Sequence, residues 1–437
     1  MNKKDRTILF ILMSTIFLFV APSVIMYSQG YRFDIKKFQF VETGGIYIKA
    51  TPDEVNLYIN NEYINKTSFF TKDILIQNLI PNNYDLKIEK EGYFSWEKNL
   101  PIEEKTVTEA KHITLFKKDI PFDLISKDIK DVYAYNNKFL LLTNENKLIS
   151  YDQKEIEDFL SINKTPYNIE NITFSHSNER ALIKTTTGLY YLLNIKEKTI
   201  NLIKSISSEA KNVNFNFDEK GIIYQLNGSI YEIKNDYPKL LSREKVDCFT
   251  IHNNSIYILR NGEIININGL TEPEEFLYNF NSKDGSNYEM FFVENELFII
   301  ENKKNLYHLK DNLFELKIES ESELKYNSFS EKIIFYNNNN IWLLPLKRLE
   351  SPFFTDAYNI IKINSYNEEI NNIKWINGDY FLLTINNGLN ISEIDNRDNI
   401  NIFNLDKNDV SNIYFDGRNK SLFILNGSNF IKINKLI

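Results

Sequence analysis

Few side chains in this sequence have the types and the spacing that catalysis or metal binding requires. The four histidines lie far apart, and none belongs to a His-x-x-x-His or Glu-x-x-His pair: His112, His176, His252 and His308. A metal site needs several such ligands in one place. The chain also has no Gly-x-Ser-x-Gly, P-loop or dinucleotide-binding motif. The sequence therefore predicts a protein that is not an enzyme and that holds no metal and no cofactor.

Two further groups of reactive residues have simple structural explanations. Asp395 and Asp398 lie close together in DNRDN, but they lack the Asp-x-Asp-x-Asp-Gly spacing of a calcium loop, so a solvated hairpin is predicted. Cys248 is the only cysteine and lies in the apolar run VDCFTI. That setting is typical of a buried small side chain, and a single cysteine excludes an intrachain disulfide.

The composition indicates a folded β-protein of more than one domain. The chain has 437 residues, of which 43% are hydrophobic, and the 26 Tyr and 32 Phe suit pleated, half-buried surfaces. The net charge of −8 argues against a nucleic-acid partner, because nucleic-acid-binding proteins usually carry a basic face.

The first thirty residues predict a membrane anchor. Residues 7–27 are nearly all apolar, and about 20 such residues cross the hydrocarbon core. Basic residues precede the run, which favours a cytoplasmic tail at 1–6, a linker at 28–42 and an extracytoplasmic body, at the cell membrane. Two alternatives remain: a signal peptide cleaved near Ala21-Pro22-Ser23, and the reversed orientation with the body in the cytoplasm.

Residues 43–116 predict a small β domain. Short runs with two-residue alternation, such as GGIYIKA, VNLYIN and YDLKIEKEG, are separated by turn residues. The order of these segments resembles a PEGA domain. Five segments carry the resemblance: Pro52-Asp53-Glu54-Val55 at the name-giving turn, Asn60-Asn61 at the Asp-Gly turn, Lys66-Thr67-Ser68 at the Thr-Pro step, Pro81-Asn82-Asn83 at the Pro-Gly turn, and Gly92-Tyr93.

The resemblance implies a small β-sandwich that serves as an extracytoplasmic surface or adaptor module, without catalysis. The lead-in YSQGYRFD, followed by ETGGIYIK, is similar to that of membrane-anchored PEGA proteins of small-genome bacteria. Within the domain, Tyr93, Phe94 and Trp96 are candidates for a sugar-stacking platform. The alternative is that Tyr93 and Trp96 simply pack in the core.

A hairpin motif repeats through the remainder of the chain. GIIYQLNGSIYEI, IYILRNGEIININ and SLFILNGSNFIKIN each place a tight turn between alternating apolar runs, and such turns recur about every 40 residues. This period predicts a β-propeller over 117–437 with eight blades, or seven if one unit is misread. The last unit lacks a fourth strand, so PFDLIS at 121–126 is predicted to complete it and close the ring. The cadence of NITFSHSNERALIKT resembles Tol-associated and WD-type repeats, although no blade ends in Trp-Asp.

The inner strands of a propeller line its central channel and supply the candidate binding residues. Lys374 is predicted to face the channel, with four polar residues opposite it: Asn214, Asn216, Thr250 and Asn327. They would form a polar funnel that binds a ligand, and the alternative is a merely hydrated channel.

The function predicted from the sequence is that of a membrane-anchored binding or scaffold protein of the cell envelope, with a protein or an envelope glycan as its partner. Two alternatives belong to other classes. One is an envelope enzyme with its site in the funnel, for example a glycan-acting one, and the other is an interaction platform facing the cytoplasm.

Overall fold

The computed structural model describes residues 3–35, 37–67, 73–160, 165–234, 236–242, 244–267, 274–405 and 407–437. Within these ranges, one α-helix, α1 (Lys3–Ser28), is followed by forty-one β-strands. The prediction of an all-β chain with one apolar N-terminal helix is confirmed at this level. Ser68, which the sequence places at a turn of the small domain, lies outside the described residues.

Helix α1 is uncovered along its length. Its segment Asp5–Ser28 has a mean hydropathy of 2.6, and no part of it is buried against other residues. The hydroxyls of Thr15 and Ser23 donate to the carbonyl oxygens of Ile11 and Phe19 one turn earlier, so these polar groups are satisfied within the helix. By length and composition α1 is able to cross a membrane, a property that it shares with signal sequences.

A hairpin and a small module follow the helix. The hairpin is β1 (Tyr31–Asp34) and β2 (Gln39–Glu42), which pair only with each other in the described structure. The small module contains β3 (Gly44–Thr51), β4 (Asn56–Ile59), β5 (Glu62–Lys66), β6 (Asp73–Leu79), β7 (Asn82–Glu89), β8 (Trp96–Ile102) and β9 (Val107–Thr114). These strands form two sheets, with the orders β6-β3-β9 and β5-β4-β7-β8, and β3 runs parallel to β9.

The two sheets of the small module share one apolar core. Ile46 and Ile48 from one sheet pack with Leu57, Leu86 and Trp96 from the other. Asn60 and Asn61, which join β4 to β5, have φ angles of 51° and 66°, as a type I′ turn requires. Asparagine tolerates this left-handed region better than other residues with a side chain.

Eight four-stranded antiparallel sheets make up the remainder of the described chain. The first four contain β11 (Ile129–Tyr135), β12 (Lys138–Thr143), β13 (Leu148–Tyr151) and β14 (Ile156–Leu160); β15 (Ile169–Phe174), β16 (Arg180–Thr185), β17 (Tyr190–Asn194) and β18 (Thr199–Leu202); β19 (Lys211–Phe215), β20 (Ile222–Leu226), β21 (Ser229–Lys234) and β22 (Tyr237–Ser242); β23 (Cys248–His252), β24 (Ser255–Arg260), β25 (Glu263–Ile267) and β26 (Glu275–Asn279).

The other four sheets contain β27 (Tyr288–Val293), β28 (Glu296–Glu301), β29 (Asn305–Lys310) and β30 (Leu313–Glu319); β31 (Lys325–Phe329), β32 (Lys332–Tyr336), β33 (Asn340–Pro345) and β34 (Ile361–Ser365); β35 (Ile370–Trp375), β36 (Tyr380–Ile385), β37 (Gly388–Glu393) and β38 (Ile402–Asn404); β39 (Val410–Asp416), β40 (Ser421–Asn426), β41 (Asn429–Ile433) and, from the other end of the chain, β10 (Phe122–Ser126). Strand β10 pairs antiparallel with β41.

The Asn227-Gly228 turn shows how each sheet is built. Both residues have positive φ, 52° and 83°, and they join β20 to β21 with Leu226 directly opposite Ser229. The turn fixes the register, and alternation then sends Ile223 and Tyr224 to opposite faces of the sheet, where each is buried against a different neighbouring sheet.

The sheets form a closed ring. Eight apolar clusters of the described residues each join two neighbouring sheets. The closing cluster joins the sheet that contains β10 and β41 to the sheet of β11, where Phe139 packs on Phe423 and Phe430 at ring-centroid distances of 4.6 and 5.2 Å. First strands of neighbouring sheets contact each other, as β11 and β39 do, so the first strands lie innermost. This arrangement is a β-propeller.

The two faces of the ring can be distinguished by strand direction. Each first strand begins at one face, here called the entry face, and ends at the other, the exit face. Because the strands run up and down in order, the turn between second and third strands also lies at the entry face, as does the connection to the next sheet. The other two turns of each sheet lie at the exit face.

Candidate functional site

A large cavity opens at the entry face and is here called the entry-face cavity. Its volume is about 1110 Å³, and it is formed by β19, β23 and β27 with the loops between their sheets. Asn214 and Thr250 line it, as the sequence predicts for channel-facing residues. Eight charged residues line it as well: Glu209, Lys211, Lys245, Asp247, Lys283, Asp284, Glu289 and Lys303. The cavity is therefore polar and carries both signs of charge.

Two carboxyl groups line this cavity, the half-buried Asp247 and the more exposed Glu289. Burial raises the pKa of Glu289, and Lys303 opposes that shift. Burial also raises the pKa of Asp247, against the effect of Lys245. Groups with perturbed pKa values in a concave site are candidates for ligand contact. Glu289 is not among the binding residues predicted from the sequence, although it is the one charged residue of the inner strand YEMFFV.

The loop that borders the cavity at 282–287 is held by a buried carboxylate on β28. Glu301 accepts hydrogen bonds from Lys283 and Ser286 of the loop at 3.1 Å each, and from Asn305 at 3.0 Å. Burial opposes ionisation of Glu301, but bonds from Asn305, Lys283 and Ser286 outweigh it and lower the pKa of the carboxyl. The rim of the cavity is thus fixed before any ligand arrives.

A second, smaller cavity opens at the exit face and is here called the exit-face cavity. Its volume is about 460 Å³, and Lys374 and Asn327 line it together with Tyr414 and Asp416. Burial lowers the pKa of Lys374. The carbonyl oxygen of Asn327 accepts a hydrogen bond from the indole of Trp375 at 3.1 Å, which ties two neighbouring inner strands together.

The structure therefore divides the predicted funnel residues among three places. Asn214 and Thr250 line one cavity, and Lys374 and Asn327 line the other. Asn216 lines neither, because it is buried in the turn after β19 and uses its side chain there. Its Oδ1 accepts from the backbone N–H of Gly221 at 3.0 Å, and its Nδ2 donates to Glu232 at 2.7 Å. The prediction that Asn216 faces the channel is wrong.

Tyr93 and Trp96 lie where the small module meets the ring. Trp96 is 1% exposed, and its indole donates to Glu393 at 2.8 Å, so its ring is closed to a sugar. Tyr93 is half-buried against the same core and lies below the ammonium group of Lys90. A stacking platform formed by both rings does not fit these positions, and the packing alternative does.

Buried charges dock the small module onto the sheet of β35–β38, and the sequence analysis missed them. Lys98 is 2% exposed, and its Nζ lies 2.8 Å from Oε1 of Glu393. The same ammonium donates to the carbonyl oxygens of Asp395 and Asn399 at 2.7 and 2.6 Å. Asn401 donates to Oε1 of Glu393 through its backbone and side-chain nitrogens at 2.9 and 2.8 Å. Both ions are therefore fully paired.

An apolar contact completes this docking interface. Phe116 packs on Tyr380 and Phe403 at ring-centroid distances of 5.2 and 5.7 Å, and the phenol of Tyr380 accepts from the backbone N–H of Thr114. These residues lie at the exit-face end of their sheet. The entry-face cavity therefore opens on the face of the ring opposite the one that carries the small module.

Two other residues singled out from the sequence, His308 and Cys248, are buried in the cores of the sheets. Among the described residues, no group of three or more His, Cys, Asp and Glu side chains is placed to hold a metal ion. His308 is buried with Nε2 at 2.9 Å from Glu296, and burial lowers its pKa. Cys248 is 1% exposed, and burial raises the pKa of its thiol, which leaves it unreactive.

The segment at 395–399 is the hairpin loop between β37 and β38, and Asp398 is exposed in it as predicted, but Asp395 is not solvated. Asp395 is buried and holds Arg397 through both carboxylate oxygens, at 3.0 and 2.8 Å. Asp398 accepts from the backbone N–H of Asn99 at 2.8 Å, so the loop is part of the docking interface. Asn99 lies 299 positions before Asp398 in the sequence, so this contact could not be predicted from the loop itself.

No protein-family model matches the chain, and no curated protein sequence matches it. Solved structures with a similar architecture include the C-terminal WD40 domain of Sif2, at 11% identity and a TM-score of 0.47, covering 73% of this chain and 98% of that one. BamB from Moraxella catarrhalis has 12% identity, a TM-score of 0.43 and coverages of 72% and 99%. The computationally designed protein Ika8 has 9% identity and a TM-score of 0.48, and the match covers 72% of this chain and 98% of that one. These similarities transfer no activity, ligand or partner, and the propeller assignment rests on the sheet order and the cores between sheets.

Proposed function

We propose that this chain is a single-pass, membrane-anchored binding protein of the cell envelope with an extracytoplasmic body. Helix α1 is its anchor, and the basic residues before the helix support a cytoplasmic N-terminus. The entry-face cavity takes a hydrophilic segment of a partner protein, with Asn214, Thr250 and Glu289 among its contacts. The observation that carries this proposal is a polar cavity of about 1110 Å³ with a fixed rim, on the face opposite the small module.

The body in this proposal is a PEGA-like module docked on an eight-bladed propeller. The eight four-stranded sheets, the eight cores between them and the pairing of β10 with β41 support the blade count. The two-sheet core and the Asn60-Asn61 turn support the PEGA-like module. The small module connects the anchor to the ring, and the entry-face cavity lies on the far face of the ring.

The lining of the cavity favours a polypeptide over a glycan as the partner. Four lysines and four carboxylates line it, and the amides of Asn212 and Asn214 add donors and acceptors for a peptide backbone. Aromatic rings in its lining are buried within the inner strands, as Phe249 and Tyr288 are, so they offer no open face for stacking.

A glycan-acting enzyme in the same cavity is the second candidate. Asp247 and Glu289 favour it, since both carboxyl groups line one cavity and burial raises the pKa of each. Paired carboxylates of unequal pKa are the usual machinery of glycoside hydrolysis. Such an enzyme would not hold a protein segment in the cavity, so the experiment below separates the two functions.

The proposal predicts site-specific capture of a protein at the entry face. A photo-cross-linking amino acid is placed at Asn214 of the full chain, in the cells that naturally contain it. A matched probe is placed at Tyr237, which is highly exposed on an outer strand. We expect one discrete protein adduct with the Asn214 probe and none with the Tyr237 probe, measured by mass shift and peptide sequencing.

Charge substitution provides the control. Glu289→Lys in the chain that carries the Asn214 probe should reduce the adduct at least about tenfold, because it replaces a proposed contact of the segment with a longer side chain of opposite charge. Equal adducts at both probe positions, or no protein adduct at Asn214, would contradict a protein-binding cavity.

A further inference from the structure

The hairpin of β1 and β2 exposes an unusual amount of apolar surface. Four large hydrophobic side chains are open to solvent: Phe33, Ile35, Phe38 and Phe40, of which Phe38 is 82% and Ile35 78% exposed. Phe33 lies directly opposite Phe40 in the register and contacts both other phenyl rings, at ring-centroid distances of 5.2 and 5.7 Å. The rings form one cluster, here called the aromatic tip.

This hairpin is poorly suited to stand alone in water. It pairs with no third strand in the described structure, and an isolated two-stranded hairpin is marginally stable there. Phe38 also has a φ of 55°, a conformation that bulky residues seldom adopt. The hairpin thus holds its most exposed phenyl ring outward at a local conformational cost, which indicates that the ring meets something apolar.

The position of the hairpin next to α1 indicates that the apolar surface it meets is the membrane. Only Gln29 and Gly30 separate the end of α1 from β1. Arg32 stacks over the ring of Tyr27 at 3.4 Å and donates to the carbonyl oxygen of Tyr27 in the last turn of the helix, so it holds the hairpin against the helix end. If α1 spans the bilayer, the aromatic tip lies at the boundary between headgroups and acyl chains, which is the depth that aromatic rings prefer.

The charges beside the tip fit the same surface. Arg32 and Lys37 are the described basic residues of the hairpin, and Lys37 lies at its turn next to Phe38. An apolar edge flanked by basic side chains is the pattern of segments that lie in the interface of anionic membranes. The hairpin begins two residues after the end of α1, and this closeness to the proposed span favours lipid over a protein as the surface that the hairpin contacts.

The other end of the hairpin is tied to the small module. Glu42 accepts from the phenol of Tyr31 at 2.5 Å and pairs with Lys105 at 2.5 Å. Thr43 donates through its hydroxyl to the carbonyl oxygen of Gly30 at 2.6 Å. A force on the tip is therefore transmitted to the module, and the module is docked on the ring.

We propose that the aromatic tip is an interfacial anchor that inserts Phe33, Phe38 and Phe40 into the lipid surface beside α1 and thereby sets the orientation of the body above the membrane. This inference rests on the proposed function, because it requires α1 to span the bilayer. The lipid that it fits is an anionic one, whose headgroup meets Lys37 and Arg32 while the acyl chains meet the phenyl rings.

Depth-dependent fluorescence quenching tests the proposal on the full chain. Gln39→Cys is labelled with an environment-sensitive fluorophore, and the native Cys248 is buried and does not compete for the dye. The chain is reconstituted in phosphatidylcholine–phosphatidylglycerol vesicles with nitroxide lipids, shallow or deep in the acyl chain. We expect the shallow nitroxide to quench the probe at least about threefold more than the deep one.

Matched variants make the result decisive. Phe33→Ser/Phe38→Ser/Phe40→Ser in the Gln39→Cys chain should reduce quenching to that of a Tyr237→Cys probe on the outer rim. An Ile16→Cys probe in the middle of α1 should be quenched most by the deep nitroxide. If the deep nitroxide quenches the Ile16 probe most while the Gln39 probe is quenched no more than the Tyr237 probe, α1 spans the bilayer but the aromatic tip is not an interfacial anchor. If the Gln39 probe is shielded from aqueous iodide but is not quenched by either nitroxide lipid, protein covers the tip, as in contact with a second copy of the chain. That result would overturn the proposal.

If the Ile16 probe is not quenched by the deep nitroxide, α1 does not span the bilayer, and the proposed function fails together with this inference. The two failures are therefore distinguishable in one series of samples.

Discussion

Lys98→Met is expected to lower the free energy of unfolding of the full chain by about 3–5 kcal/mol, the usual cost of breaking a buried ion pair from one side. The substitution keeps the length of the side chain but leaves the Glu393 carboxylate buried without its cation. It also removes the donor to the carbonyl oxygens of Asp395 and Asn399. Urea unfolding in detergent, followed by tryptophan fluorescence, measures the effect.

Two control variants identify the cause of the loss. Lys303→Met breaks an ion pair with Glu323 whose members are both well exposed, so it should cost less than about 1 kcal/mol. Lys98→Met/Glu393→Met removes both buried ions and should recover at least half of the loss, since an apolar pair needs no counter-charge. Equal costs for Lys98→Met and Lys303→Met would show that the docking interface does not depend on this pair.

Leu124→Pro/Ile125→Pro is expected to open the ring at its closing sheet. Proline at Leu124, which lies opposite Ile431, removes a backbone donor from β10, and Ile125 packs in the closing cluster. We expect amide hydrogen exchange in β40 and β41 to rise at least about tenfold, which corresponds to about 1.4 kcal/mol of local stability. The affected strands are some 300 residues from the substitution.

An equivalent change in another sheet provides the comparison. Glu157→Pro/Asp158→Pro disrupts β14, the outer strand next along the chain, and should raise exchange in β13 without affecting β41. If Leu124→Pro/Ile125→Pro raises exchange only between residues 129 and 151, β10 belongs to the first sheet and the ring closes in some other way.

Local signals explain how much of the fold was predictable. Asn227-Gly228 between alternating runs predicts β20 and β21, because positive φ and a two-residue period are properties of adjacent residues. The pairing of β10 with β41 could be predicted by counting strands, because the last repeat has only three strands of its own where the others have four. In contrast, the partners of Asp398 and Lys98 lie in another part of the chain, and no neighbouring residue in the sequence predicts them.

One feature of the sequence of β8 does indicate the docking interface. In β8, Trp96, Lys98, Leu100 and Ile102 occupy the buried face, so a lysine stands in an otherwise apolar register. A lysine at such a position needs a buried counter-charge. The identity of that charge, Glu393 at the end of β37, follows only from the three-dimensional structure.

The candidate site was predictable only in part because alternation fails at irregular positions. Strand β19 shifts register between Lys211 and Asn214, and Asn212 has a φ of 50°, so counting by twos from the strand start gives the wrong face. Asn216 follows the end of the strand, where the side chain of asparagine closes the turn instead of facing the channel. Glu289 lies on β27, whose pairing with β28 is regular, and there alternation places it correctly.

The measurement that tests the account most directly is cysteine labelling at the entry-face cavity in intact cells that express the full chain. Asn214→Cys is treated with a membrane-impermeant maleimide before or after lysis, and membranes are then washed with carbonate. The buried Cys248 of the unsubstituted chain serves as the unlabelled control, and Tyr237→Cys as the exposed one. We predict equal labelling of Asn214→Cys before and after lysis, on a chain that remains in the washed membranes. Labelling only after lysis, or a labelled chain released by the wash, would contradict a membrane-anchored body that presents this cavity outside the cell.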